Sequence, residues 1–163
     1  MIFITTGSQK FQFNRLLQKI DELVADGTIK DEVFAQSGYS DYVPKHYEYK
    51  DFLNRDEFAQ KMGESTIVIT HGGTGAIIGA VKKGKKVIAV PRLAKYGEHV
   101  DDHQLQLLKQ FEEMDIICSC YDMDDLAGYI NQISDMQFRE YTSNTMTIID
   151  DIEGFLLENI NGN

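Results

Sequence analysis

The sequence predicts an α/β fold, a Rossmann-like parallel sheet with helices on both faces. Two observations carry this. Short apolar runs such as Ile2-Phe3-Ile4, Ile67-Val68-Ile69 and Val87-Ile88-Ala89-Val90 recur along the chain. Between them lie amphipathic stretches long enough to serve as crossover helices, which is how parallel strands are joined.

Met1 to Thr6 reads as a buried strand. Residues 13–25 place Phe13, Leu16, Leu17, Ile20, Leu23 and Val24 on one helical stripe that stops at Gly27. Residues 32–36 form a short strand, and the tyrosine-rich loop 38–50 has room for another. Asn54 is placed to cap a helix over 55–63. A strand over 66–70 leads through a glycine turn to a helix over 74–83, and 86–90 returns as a strand ending at Pro91. Helix 101–113, strand 115–119 and a helix over 123–133 capped by Asp122 follow. Residues 143–160 carry Ile148, Ile149, Ile152, Phe155, Leu156 and Ile160 on a final stripe. No repeat or internal linker divides the chain, so 1–163 is expected to be one domain.

Bulk properties narrow the function classes. With 163 residues the chain can bury a sizeable core. A formal net charge of −10 argues against a nucleic-acid binder, because neutralising phosphates requires a basic face. The start lacks the basic and apolar regions of a signal peptide, which sets the expected location in the cytoplasm. Cys118 and Cys120 are expected to be reduced, structural thiols. Lys82, Lys83, Lys85 and Lys86, with Arg92 and Lys95, make one basic corner. It reads either as complementing a helix C-terminus or as touching an anionic lipid or partner surface.

Chemistry concentrates in two runs. The first is Thr70-His71-Gly72-Gly73-Thr74-Gly75, a strand-to-helix turn whose glycines let backbone approach a ligand and whose helix offers N–H groups to an anion. A bland reading has Thr74 merely capping the helix, and Gly79 letting that helix pack closely on the sheet. The second is Gly97-Glu98-His99-Val100-Asp101-Asp102-His103-Gln104, rich in carboxylate, imidazole and amide groups. Its bland reading is a near capping box between Asp101 and Gln104. The histidine spacing fits no helical zinc motif, so no metal is expected.

In a parallel sheet, ligands bind beyond the carboxyl ends of the strands. Gly7 and Ser8, then His71, Gly72, Gly73, Thr74 and Gly75, then Arg92, Glu98, Asp102 and Gln104 are therefore expected to gather around one ligand. A phosphate-binding turn beside a polyol-binding turn suggests a nucleotide sugar. His71, His99 and His103 are the candidate acid–base residues, since imidazole titrates near neutrality, and the base is left open among them and a partner.

Three stretches together carry a family resemblance: Val68-Ile69-Thr70-His71-Gly72-Gly73-Thr74-Gly75, then Gly84-Lys85-Lys86-Val87-Ile88-Ala89-Val90-Pro91-Arg92, then Glu98-His99 through Asp101-Asp102-His103-Gln104. With Thr6-Gly7-Ser8-Gln9 at the start, the chain resembles the C-terminal domain of glycosyltransferase family 28, in its stand-alone bacterial form. The resemblance implies the C-terminal, donor-binding half of a GT-B fold, using a UDP-sugar with no cofactor and no metal. It implies an inverting transfer of a hexose or N-acetylhexosamine, commonly through a β-1,4 bond, to a lipid-linked saccharide in exopolysaccharide or capsule synthesis. A small membrane-anchored subunit would supply the acceptor side and hold this chain at the inner face of the membrane.

By the same resemblance, Gly7 and residues 72–75 match diphosphate-cradling loops. His103 and Gln104 match positions that bond the donor sugar's hydroxyls, and Phe52 and Leu53 match the segment that meets uracil. Gly79 stands where a single-chain relative has an acid that grips the ribose. Two readings of the last stripe, 143–161, stand: core packing, or docking on the membrane subunit. The rival function is a non-catalytic accessory subunit that activates or stabilises a partner transferase.

Overall fold

The computed structural model describes residues 1–140; the C-terminal stripe at 143–161 lies outside the described residues. Six strands form one sheet: β1 (Ile2–Thr5), β2 (Val33–Gln36), β3 (Glu48–Lys50), β4 (Ile67–His71), β5 (Lys86–Val90) and β6 (Cys118–Ser119). Their order is β3-β2-β1-β4-β5-β6, and every pairing is parallel. Ile2 aligns with Val33 on one side and Ile67 on the other, so β1 and β4 sit at the centre.

Alternation along the strands divides the core in two. Ile2, Ile4, Ile67, Ile69, Ile88 and Val90 face α1 (Asn14–Ala25) and α5 (Leu126–Gln132), meeting Leu16, Leu17, Ile20 and Leu126. Phe3, Val68, Val87 and Ala89 face the opposite way. They meet Met62 of α2 (Arg55–Glu64), Ile77 and Val81 of α3 (Thr74–Lys82), and Leu107, Leu108 and Phe111 of α4 (His103–Glu113). Burying each such side chain contributes about 1.5–3 kcal/mol. Helices thus cover both faces, as the sequence predicts.

Local chemistry explains the boundaries. Asn54 and Glu57 form a reciprocal capping box at α2. Gly27 takes φ of 83° just after α1, the left-handed turn that suits glycine. Three expectations need adjustment. The helix expected over 123–133 begins as a tight 3-10 turn, Met123–Asp125, with Asp122 accepting from the Asp124 N–H. The last strand shrinks to Cys118–Ser119. The fourth helix begins at His103, two residues later than expected, because Asp101 and Asp102 turn their carboxylates to the His103 and Ala94 N–H groups. Cys118 and Cys120 are buried free thiols, which burial pushes up to about 11 and about 12.

Candidate functional site

All strands run the same way, so the turns after β1, β4 and β5 emerge together at one edge of the sheet. There they enclose a cleft of about 570 Å³. Its wall includes Gly7 and Ser8 from the first turn, His71, Gly73, Thr74 and Gly75 from the second, and His99, His103 and Gln104 from the third. Three segments far apart in sequence meet as expected.

The glycines serve two purposes. Gly7 has φ of 78°, and a Cβ there would lie 2.5 Å from His71 Nε2. A Cβ on Gly73 would lie 2.2 Å from His71 Cε1. The imidazole is therefore held between two residues that must lack side chains. Gly72 instead packs against α4, where its Cβ would meet Gln104 Cβ at 2.9 Å.

Two backbone donors expected to cradle an anion are already engaged. Gly72 N–H donates to Gln104 Oε1 at 2.9 Å, and Gly73 N–H donates to His71 Nδ1 at 3.0 Å. The N-cap position belongs to Gly73 rather than Thr74, and no side chain caps α3. The donors left to a ligand are the first N–H groups of α3 itself, at Thr74, Gly75 and Ala76, where the helix dipole is positive. Thr74 Oγ1 is buried beside them without a hydrogen-bond partner.

His71 is neutral. Burial, reinforced by the nearby Arg92 guanidinium and His99, pushes it down to about 3. Its Nδ1 accepts from the Gly73 N–H, so the lone pair that the sequence offered as a base is already engaged. His99 and His103 remain as candidates. The His99 ring lies 5.3 Å from that of Phe11, and its Nδ1 is 3.2 Å from Asp101 Oδ1. His103 opens α4, and its Nδ1 is buried without a partner.

Arg92 and Glu98, expected to touch the ligand, hold the loops instead. The Arg92 guanidinium donates to the carbonyls of Thr6, Phe11, Gln12 and Glu98. Burial lowers it only to about 10, so it stays charged. Glu98 is fully buried and accepts from Arg15 and from the Leu93 N–H. Asp102 is likewise spent on the Ala94 N–H at 2.9 Å. With these charges engaged in the scaffold, the turns present backbone, imidazole and hydroxyl groups to the cleft.

Phe52 and Leu53 do not line the cleft. Phe52 is exposed and packs edge-on to Tyr39, while the Leu53 N–H holds Gln36 Oε1 at 2.9 Å. The wall there is Gln36 with Phe58 and Met62 of α2. Phe58 and Met62 are one helical turn apart behind a recognisable capping box, so the signal existed. Gly79 also lines the cleft, and nothing lies within 4 Å of a Cβ placed on it, so it opens the cleft rather than packing on the sheet. Lys83, one turn further, closes that end. In the rest of the basic corner, the ammonium groups of Lys85 and Lys86 are bound by the carbonyls of Gly63, Ser65, Ser134 and Met136.

Among the described residues no group of side chains is arranged to hold a metal, and no helix is long and apolar enough to cross a membrane.

The sequence model of the glycosyltransferase family 28 C-terminal domain matches residues 1–154. The chain belongs to this family. A human protein, UDP-N-acetylglucosamine transferase subunit ALG13, is 27% identical over 136 residues, covering 73% of this chain. The match spans only 11% of that relative's length. Among solved structures, Acinetobacter baumannii MurG shares the fold with a TM-score of 0.57 at 17% identity, covering 94% of this chain and 49% of that one. The glycosyltransferase of kitacinnamycin does so with a TM-score of 0.59 at 14% identity, covering 96% and 38%. The family 28 chain thus has the Rossmann-like fold of one half of a GT-B enzyme.

Proposed function

We propose that this chain is the donor-binding catalytic subunit of a membrane-associated UDP-sugar glycosyltransferase. It adds a hexose or N-acetylhexosamine to a lipid-linked saccharide by inverting displacement at the anomeric carbon, in exopolysaccharide or capsule assembly. The observation that carries the reading is the uncapped start of α3, opening on a cleft in a family 28 domain. Backbone N–H groups there suit a leaving diphosphate, whose charge grows as the sugar departs. Similarity to a human UDP-N-acetylglucosamine transferase subunit supports a UDP-sugar and a partner subunit. His103 and the Ser8 loop would face the sugar, with the acceptor presented from a membrane-anchored subunit. That partner would hold the chain at the inner face of the membrane.

One observation favours an accessory role. With Gly79 opening the cleft, no side chain at that position grips a ribose. A transfer assay separates the two. Labelled UDP-sugars and a lipid-linked acceptor are incubated in membranes with this chain, the membrane subunit, or both. A catalytic subunit makes transfer depend on both proteins and lose more than tenfold activity with His103→Ala. An accessory subunit leaves the partner active alone and is indifferent to His103→Ala.

A further inference from the structure

We propose that Gln104 is a positioning residue that fixes the proton of His71 on Nε2, the nitrogen facing Gly7. The donors around the Gln104 amide are unambiguous. Gln104 Oε1 accepts from two backbone N–H groups, Gly72 at 2.9 Å and Arg92 at 3.0 Å. A backbone N–H only donates, so the atom receiving both must be the oxygen, and the Gln104 amide cannot be flipped. Its Nε2 then necessarily points the other way, where it lies 3.2 Å from His71 Nδ1. That same Nδ1 receives the Gly73 N–H at 3.0 Å.

Two N–H donors converge on Nδ1, so Nδ1 must be the bare nitrogen. A neutral imidazole has one proton, which leaves it on Nε2. Gln104 is only 4% exposed, so water does not compete for these contacts. One side chain therefore ties the end of β5 to the turn after β4 and sets the direction of an N–H at the cleft wall.

The device gives His71 a permanent donor that does not come and go with pH. A nearby diphosphate oxygen is the group it would serve; that consequence rests on the proposed function, whereas the tautomer does not.

The test is ¹⁵N spectroscopy of the His71 imidazole in the full chain, with long-range couplings assigning each nitrogen. The expected wild-type spectrum at neutral pH has a protonated Nε2 and a bare, hydrogen-bonded Nδ1. In Gln104→Glu a carboxylate oxygen replaces the donor opposite Nδ1, so the proton should move to Nδ1 or both nitrogens should become protonated. A wild-type proton on Nδ1, or a Gln104→Glu spectrum identical to wild type, overturns the inference. Gln104→Met keeps the volume without an N–H, and should shift the Nδ1 resonance towards that of a nitrogen with fewer donors. An unmoved resonance there also overturns it. The expected spectra without transfer in the membrane assay would count against the glycosyltransferase reading alone.

Discussion

Arg15 clamps Glu98 with two parallel hydrogen bonds, Nε to Oε2 and Nη2 to Oε1, each 3.0 Å long. The pair joins α1 to the loop that carries His99 and leads into α4 at His103, across a separation of 83 residues. Glu98→Ala leaves the Arg15 charge unpaired and the Leu93 N–H without its acceptor. Breaking a buried pair costs about 3–5 kcal/mol, and the lower end applies because Arg15 keeps 20% of its side chain exposed. Urea unfolding of Glu98→Ala, Arg15→Ala and the double variant should show strong coupling between the two sites. Additive losses would mean that the loop is held elsewhere.

Gly7→Ala should damage the site more than the fold. The left-handed φ of 78° costs a non-glycine residue about 1–2 kcal/mol, and the new methyl would push on His71 Nε2. Transfer should fall more than tenfold while the protein remains folded at room temperature. Unchanged transfer would mean that His71 plays no part in the site.

Gly79→Ala should act in the opposite direction. The site is inside α3, faces the cleft and has no atom within 4 Å of the added Cβ. Alanine favours a helix over glycine by about 0.8–1 kcal/mol, so thermal unfolding should shift upward. Donor affinity should change by less than twofold. A large loss of affinity would place ligand atoms directly against the Gly79 backbone.

Acid should destabilise the protein in two windows. His71 titrates at its ordinary value of 6.5 when unfolded, and burial pushes it down to about 3 when folded. Its contribution is present above 6.5 and drains as the pH falls from there, because protons bind the unfolded chain first. Asp21 adds a second loss. Burial raises this carboxyl, but hydrogen bonds from Tyr42, Lys45 and His46 outweigh it and hold it below 3.8. That stability is present above the unfolded value and is lost as the pH drops through the folded one. Denaturation curves for His71→Asn should lack the upper window, and those for Asp21→Asn the lower.

Much of this was legible before the structure. Ile2, Ile4, Ile67 and Ile69 alternate with Phe3 and Val68, which was enough to expect a sheet covered on both faces. The convergence of Gly7, His71 and His103 followed from parallel topology. What composition could not reveal was how polar groups divide between ligand and scaffold. Arg92, Glu98 and Gln104 look like ligand-binding chemistry in a string of residues, yet tertiary hydrogen bonds consume all three. Those partners lie on other elements, and no local pattern announces them. Phe58 and Met62 are not singled out by the sequence for a different reason: the cap announces α2, but which of its faces meets the cleft depends on packing against the sheet.

The most direct measurement is a UDP titration of the ¹⁵N-labelled chain, followed by backbone amide shifts. The amides of Thr74, Gly75 and Ala76 should move together with Gly7, while Lys85 and Lys86 at the opposite edge of the sheet stay still. Amides at the start of α3 that do not move at millimolar UDP, or shifts confined to the opposite edge, would contradict it.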